Sequence, residues 1–330
     1  MAVTLADISK LRSMTGAGMM DCKNALNEAN GNFEEAMAII RKKGQAVAAK
    51  RSDRDAAEGC VLADIKDGYA AVLALKCETD FVAKNADFIA LTKDILNCAI
   101  ESKAADLDSL NNSKIGDSTV AQLVTDRSGI TGEKMELDMY EHIEGASVIS
   151  YIHPGNKLAT IVAFNEAGVD NQVMKDVAMQ VAAMNPIAIN EEGVSAEYVA
   201  NEREVATEKT KAEQIQKKVD NALSKAGINP AHVDTEAHIE SNMSKGWITA
   251  EDAAKAREII AKESAAAAAS LNMNMIENIV NGRIQKIYKE QTLLNQAFIK
   301  DQKISVAQYL ASASKTLTVT AFKRVTLNEE

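Results

Sequence analysis

The stretch "CVLADIKDGYAAVLALKC", Cys60 to Cys77, limits the fold more than any other part of this 330-residue chain. Two runs alternate with the two-residue period of a strand, and Asp67-Gly68 stands between them. Asp-Gly is the strongest short hairpin signal, because the two-residue turn that matches strand twist needs positive φ at both central positions. A helical run follows, from about Val82 to Lys103. The layout recurs downstream. "SVISYIHPGNKLATIVAFN" holds two strand runs around His153 to Lys157, followed by a helical run from about Asn171 to Met184. Val61-Leu62 matches Val148-Ile149, and Ala71 to Leu75 match Thr160 to Phe164 in order. These spacings predict an α+β chain with two related hairpin-plus-helix halves. A helix around Thr119 to Asp126 and the strand-like "MELDMYEHI" join them.

Both flanks of this duplicated core read as helix. Thr4 with Asp7 starts one, with Leu5, Ile8 and Leu11 on one face, and "TGAG", Thr15 to Gly18, breaks it. A second run carries Met19, Ala25 and Leu26 and stops at Asn30-Gly31. Asn32 with Glu35 starts a third, with Phe33, Ala36, Met37 and Ile40 at helical spacing. "QAVAAKRSDRDAAEG", Gln45 to Gly59, reads as a polar, basic tether. From Ser195 the texture changes: Tyr198, Val205, Ala212, Val219 and Ala226 fall seven apart, with Ile215 and Ala222 between them, a coiled-coil pattern. Asn229-Pro230 ends that run. A second long helix is predicted from Thr249 to about Glu290. Two antiparallel helices of this kind would extend on the order of 45 Å, at about 1.5 Å per residue. Strand texture returns in "TLTVTAFKRVTL", so the arm is an insertion within the second half.

Charge and cysteine usage narrow the function classes. The net charge is -10, but residues 1–54 hold nine Lys/Arg against six Asp/Glu, leaving 28 against 41 for the rest. An acidic body disfavours phosphate-tracking contact with nucleic acid, whereas the basic head suits an acidic protein surface. Cys22, Cys60, Cys77 and Cys98 form no CxxC pair and have no zinc-type His spacing, so free thiols in a reducing cytosol are expected. The N-terminus lacks a signal-peptide pattern, and no run reaches about 18 apolar residues, so no membrane span is expected.

Covalent chemistry finds little support. His142, His153, His232 and His238 are scattered, and neither a nucleophile–base set nor a phosphate-binding loop is present. The sequence reads as a binding protein without cofactor, catalytic residue or metal. One stretch stands apart: "KCETDFVAKN" places Asp80-Phe81 at the turn between a strand and a helix. From the pattern alone Phe81 is either a core ring under that helix or an exposed anchor for another protein's pocket. Anchors of the second kind contribute about 2 kcal/mol or more.

Three stretches, in order, resemble one family. "LRSMTGAGMMDCKNAL", "CETDFVAKN" and "IENIVNGRIQKIYKEQTLLNQAF" are similar to the signatures of elongation factor Ts, the guanine-nucleotide exchange factor of translation elongation factor Tu. The resemblance runs over nearly the whole chain. It implies a ubiquitin-associated-like helical module at 1–54, a first core half at 55–145, and a second at 146–194 and 291–330. The insertion at 195–290 becomes a coiled-coil arm, which leaves a homodimer open. The implied partner is elongation factor Tu, GDP-bound or nucleotide-free, in the cytoplasm, with no nucleic acid or membrane contact. The head and first half would grip its nucleotide domain, and the second half its C-terminal β-barrel domain. Thr79, Asp80, Phe81 and Val82 correspond to the segment that dislodges the partner's Mg²⁺. Arg12, Met19, Met20, Lys23, Gly132, His153, Phe298 and Ile299 match partner-contact positions. Three departures accompany the match. Ala74 and Lys76 stand where the family often has Glu and Asn. The arm, Ser195 to Glu290, looks roughly fifty residues longer than the short bacterial version, which at about 1.5 Å of rise per helical residue alters any dimer geometry. The chain stops soon after its last strand, so the C-terminal helix of some members is expected to be absent. The competing readings are a ubiquitin-fold-binding adaptor, for which the head alone suffices, and an enzyme built around His153.

Overall fold

The computed structural model describes residues 3–327. The chain separates into two compact units, Met1–Ile189 with Ala297–Glu330, and Asn190–Gln296. The first opens with α1 (Leu5–Thr15), α2 (Met19–Glu28) and α3 (Phe33–Ala49). Thr4 and Asp7 form a reciprocal capping box on α1, and Asn32 caps α3 by accepting from Glu34 N and Glu35 N. Ile8, Leu11, Cys22, Ala25, Leu26 and Ala36 close a small core between the three helices. The third helix runs to Ala49, so the start of the expected tether, from Gln45 to Ala49, is helical.

Strands β1 (Glu58–Lys66) and β2 (Tyr69–Cys77) form the first hairpin. Asp67 and Gly68 take φ of 50° and 76°, the left-handed pair that a two-residue turn demands. Helices α4 (Asp80–Ala83) and α5 (Ala86–Ser102) divide the single expected run, because the Asn85 side chain accepts from Asp87 N and starts a new helix. Then come α6 (Leu107–Asn112), β3 (Lys114–Ile115), β4 (Ser118–Thr119), α7 (Val120–Thr131) and β5 (Met135–Glu144). The first sheet has the order β1-β2-β5, antiparallel throughout. Strands β6 (Ser147–Ile152) and β7 (Leu158–Phe164) and helix α8 (Asn171–Met184) begin the second half.

The second unit contains α9 (Ala196–Lys225), α10 (Glu236–Ser244), α11 (Ala250–Ala269) and α12 (Met273–Gln291). The chain doubles back: Ala206 packs with Ile276, Val280 and Ile284, while Val219 and Leu223 pack with Ala253 and Ala256. Two sequence expectations change here. Of the five residues spaced seven apart, only Val219 is buried; Val205 is 63% exposed, and Ala206, Thr210 and Leu223 occupy the seam instead. The returning helix is also interrupted at Ser270–Asn272, where Asn272 caps α12 by accepting from Met275 N.

The return adds β8 (Ala297–Phe298), β9 (Asp301–Ser305), α13 (Val306–Ala313) and β10 (Val319–Thr326). Strand β10 pairs with β7, so the second sheet reads β10-β7-β6. Each half is thus a hairpin whose second strand pairs with a strand from beyond the helices. Val61, Val72 and Ala74 meet Val148, Ile161 and Ala163 in one core between the two sheets. On the opposite face of the first sheet, Leu62, Leu73, Leu75 and Cys77 pack with Phe88, Ile95 and Leu110. Every residue of β2 except Lys76 is therefore buried, since helices cover one face and the second sheet the other. Ala74 is small because it lies between sheets, and Lys76 reaches the edge to pair with Asp138 at 3.3 Å. Burial of each such Leu or Ile contributes roughly 1.5–3 kcal/mol.

Candidate functional site

At the end of β2 the chain leaves the sheet and turns into α4, one turn of helix with its apolar residues facing two ways. Val82 and Ala83 pack on the first-half core, whereas Phe81 points outward and is 85% exposed. The core reading of this ring is excluded. Thr79 is the N-cap: its backbone is extended, and its Oγ1 accepts from Val82 N at 3.4 Å. Lys84 Nζ donates to Asp80 Oδ2 at 2.7 Å and holds that carboxyl below its ordinary range. Beneath the turn, burial pushes the Cys77 thiol up to about 12, so it stays protonated and donates to Thr79 O at 3.3 Å. The ring thus stands in water on a turn held by its cap, an ion pair and the core beneath.

Two other segments adjoin the turn through β1. The tip of the second hairpin docks there: Val61 N donates to Asn156 O at 2.7 Å, and Lys157 Nζ lies 2.9 Å from Glu58 Oε2. That places the exposed His153, whose Nδ1 is 3.0 Å from the Tyr151 hydroxyl, on the same end of the lobe. Glu78 receives the tether, with Arg51 and Arg54 each 3.2 Å from its carboxylate, and also accepts from Lys134 N at 2.6 Å. The tether is therefore docked, and two of the head's cations are used internally.

The head joins the core through α3 and α7. Gly44 and Gly129 pass so closely that a Cβ built on Gly129 would lie 2.1 Å from Gly44 Cα. Arg41 Nε donates to Asp126 Oδ2 at 3.0 Å beside this crossing. In the head, Arg12, Lys23, Met19 and Met20 are all exposed, Met20 by 64%. Methionines suit such a surface because a flexible thioether adapts to the shape it meets. A cavity of about 740 Å³ lies between α2–α3 and α7, but no residue of Thr79–Val82 lines it.

The remaining expected contacts divide. Gly132 is the left-handed C-cap of α7, φ 73°, and sends the chain into Glu133. Phe298 is a correction: it is 3% exposed and stacks on Tyr309 at 4.0 Å, within a cluster where Lys300, Tyr309 and Gln172 all bond Asp176. Its ring closes the second half and offers no surface, whereas Ile299 beside it is half-buried. The cysteines are all free thiols. Among the described residues no cluster of three His, Cys, Asp or Glu is arranged for a metal, and no helix is long and apolar enough to cross a membrane.

A family profile described as Elongation factor TS matches residues 78–329. It begins at Glu78, next to the Phe81 turn, and continues through the last strand. The chain belongs to the elongation factor Ts family. Proteins named Elongation factor Ts from Bacteroides fragilis and Bacteroides thetaiotaomicron are 61% and 62% identical to it over 331 residues. One from Parabacteroides distasonis is 60% identical over 332 residues; in all three, the whole of both chains is covered. These elongation factor Ts relatives extend the match over the head, which the profile leaves out. Family membership places the chain in translation elongation. Two residues of this site escaped the sequence reading, Glu78 and Glu133. Both are ordinary acids in sequence, and their targets lie 56 and 54 residues away.

Proposed function

We propose that the chain is a guanine-nucleotide exchange factor for elongation factor Tu, and that the Thr79–Val82 turn expels the partner's Mg²⁺ to release GDP. The observation that carries this reading is Phe81: an 85%-exposed ring on a turn fixed by its cap, an ion pair and the core beneath. Phe81 wedges between helices of the partner's nucleotide domain, and Asp80, held by Lys84, keeps the turn from folding back. The shifted helices disturb the groups around the Mg²⁺ and the phosphate-binding loop. Without the cation, the GDP phosphates lose the largest charge that holds them. Coupling is reciprocal, so GDP also weakens the factor's own hold. A differential affinity of about 3–5 kcal/mol moves such an equilibrium by two to four decades. No covalent bond is made or broken.

Arg12, Met19, Met20 and Lys23 serve as the head's contact, and His153 as that of the second hairpin. Ile299 takes the place expected of the pair Phe298-Ile299. The docked head argues against an adaptor that acts through its three helices alone, since α3 is built into the first half. The test is release of a fluorescent GDP analogue from elongation factor Tu. Phe81→Ala should slow the accelerated release about ten-fold or more, from the loss of an anchor of about 2 kcal/mol, with an unchanged circular dichroism spectrum. A variant that exchanges at the parent's rate removes Phe81 from the mechanism.

A further inference from the structure

The turn carrying Phe81 is held by two carboxylates arranged reciprocally. The β2–β5 ladder ends at the pair Cys77 and Met135. Beyond it, side chains take over the role of backbone carbonyls. Glu78 accepts from Lys134 N at 2.6 Å, and Glu133 accepts from Thr79 N at 3.0 Å through Oε2. Glu133 Oε1 also accepts the Thr79 hydroxyl at 2.7 Å. With its proton committed to Glu133, that hydroxyl presents lone pairs to Val82 N, the bond that caps the helix bearing Phe81. Glu133 therefore fixes both the backbone and the side chain of the cap.

Glu133 is itself fixed from the other side. Gly132 closes α7 in the left-handed region and turns the chain toward the clamp, and Ser128 Oγ donates to Glu133 O at 2.5 Å. Helix α7 is also the one that α3 crosses at Gly44 and Gly129, so the clamp is the junction between the head's seat and the ring. Bonds to an ionised carboxylate are shorter and about twice as strong as neutral ones.

We infer that Glu133 is a positioning residue for exchange: through Thr79 it sets the direction in which Phe81 leaves the lobe. The inference rests on the exchange reading above. Glu133→Gln keeps the shape but leaves one acceptor where two donors converge, so one of Thr79's bonds is lost. Thr79→Val keeps the amide bond and removes the hydroxyl.

The experiment measures GDP-analogue release from elongation factor Tu against factor concentration, together with amide hydrogen exchange of the free chain. Glu133→Gln and Thr79→Val should each lower the saturated release rate about ten-fold at an unchanged half-saturating concentration, since the head's contact surface is untouched. On a Phe81→Ala background, Glu133→Gln should add no further loss. In the free variants, amides 79–84 should exchange faster while those of β2 stay protected. A saturated rate equal to the parent's, or an equal fold-loss with and without the ring, overturns the inference. If the parent chain does not accelerate release, the exchange reading is what fails. The clamp then stands or falls on hydrogen exchange, and unchanged protection at 79–84 in Glu133→Gln overturns it.

Discussion

Phe81 and Glu78 lie three residues apart and differ in what a sequence reader can know of them. Phe81 was legible as an exception, a ring at a strand-to-helix turn, but whether it faced in or out depended on what lies beneath α4. Only the packing of Val82 and Ala83 settles that. Glu78 gave no signal, since its three partners come from the tether and from the end of α7. Its carboxyl is held below the ordinary value of 4.5, chiefly by the Lys134 N–H and then by Arg51 and Arg54. A carboxyl lowered in the folded state binds fewer protons folded than unfolded. Its contribution is full above 4.5 and fades as pH falls through the lowered folded value. The expected result is that Glu78→Gln unfolds at lower urea than the parent at pH 7, and that the two curves converge in acid. A gap that stays constant with pH would show that the ion pairs contribute nothing.

Elements were read well where local chemistry decides and poorly where neighbours do. The first hairpin follows from Asp67-Gly68 and β5 from alternation, and α8 spans the expected run, with Asp170 capping it by accepting from Gln172 N and Val173 N. The split between α4 and α5 turns on one Asn85 side chain, and the seam of α9 departs from the seven-residue spacing because its partner helix, not its own periodicity, selects the buried face. The α3–α7 crossing had no signature at all: Gly44 and Gly129 look like unremarkable helix glycines until their backbones meet. Gly129→Ala should force the helices apart and destabilise the first unit by about 1–3 kcal/mol, read as a shift in the urea midpoint. The head should also become more open to proteolysis near Arg51. An alanine variant with the parent's midpoint would mean that the crossing relaxes without strain.

At the scale of the whole molecule, the helical insertion closes its own hydrophobic contacts, with Ala206 against Ile276 and Val280 in one cluster and Val219 against Ala253 in another. Replacing Ala206 to Ile279 by a short Gly-Ser linker should leave GDP release within about two-fold of the parent, because few-residue loops add little closure entropy. A folded deletion that has lost exchange would place the arm on the partner. By itself the sequence determined the order of parts: three helices, a hairpin repeated, a helical insertion and a returning strand. Each is set by periodicity and turn chemistry within a few residues. Tertiary structure alone decided which faces are buried twice over, which acids clamp the turn, and that Phe81 stands in water while Phe298 does not. Those outcomes depend on groups brought together by the fold rather than by sequence neighbourhood, as Thr79 and Glu133 are across 54 positions, and no local pattern records such a meeting.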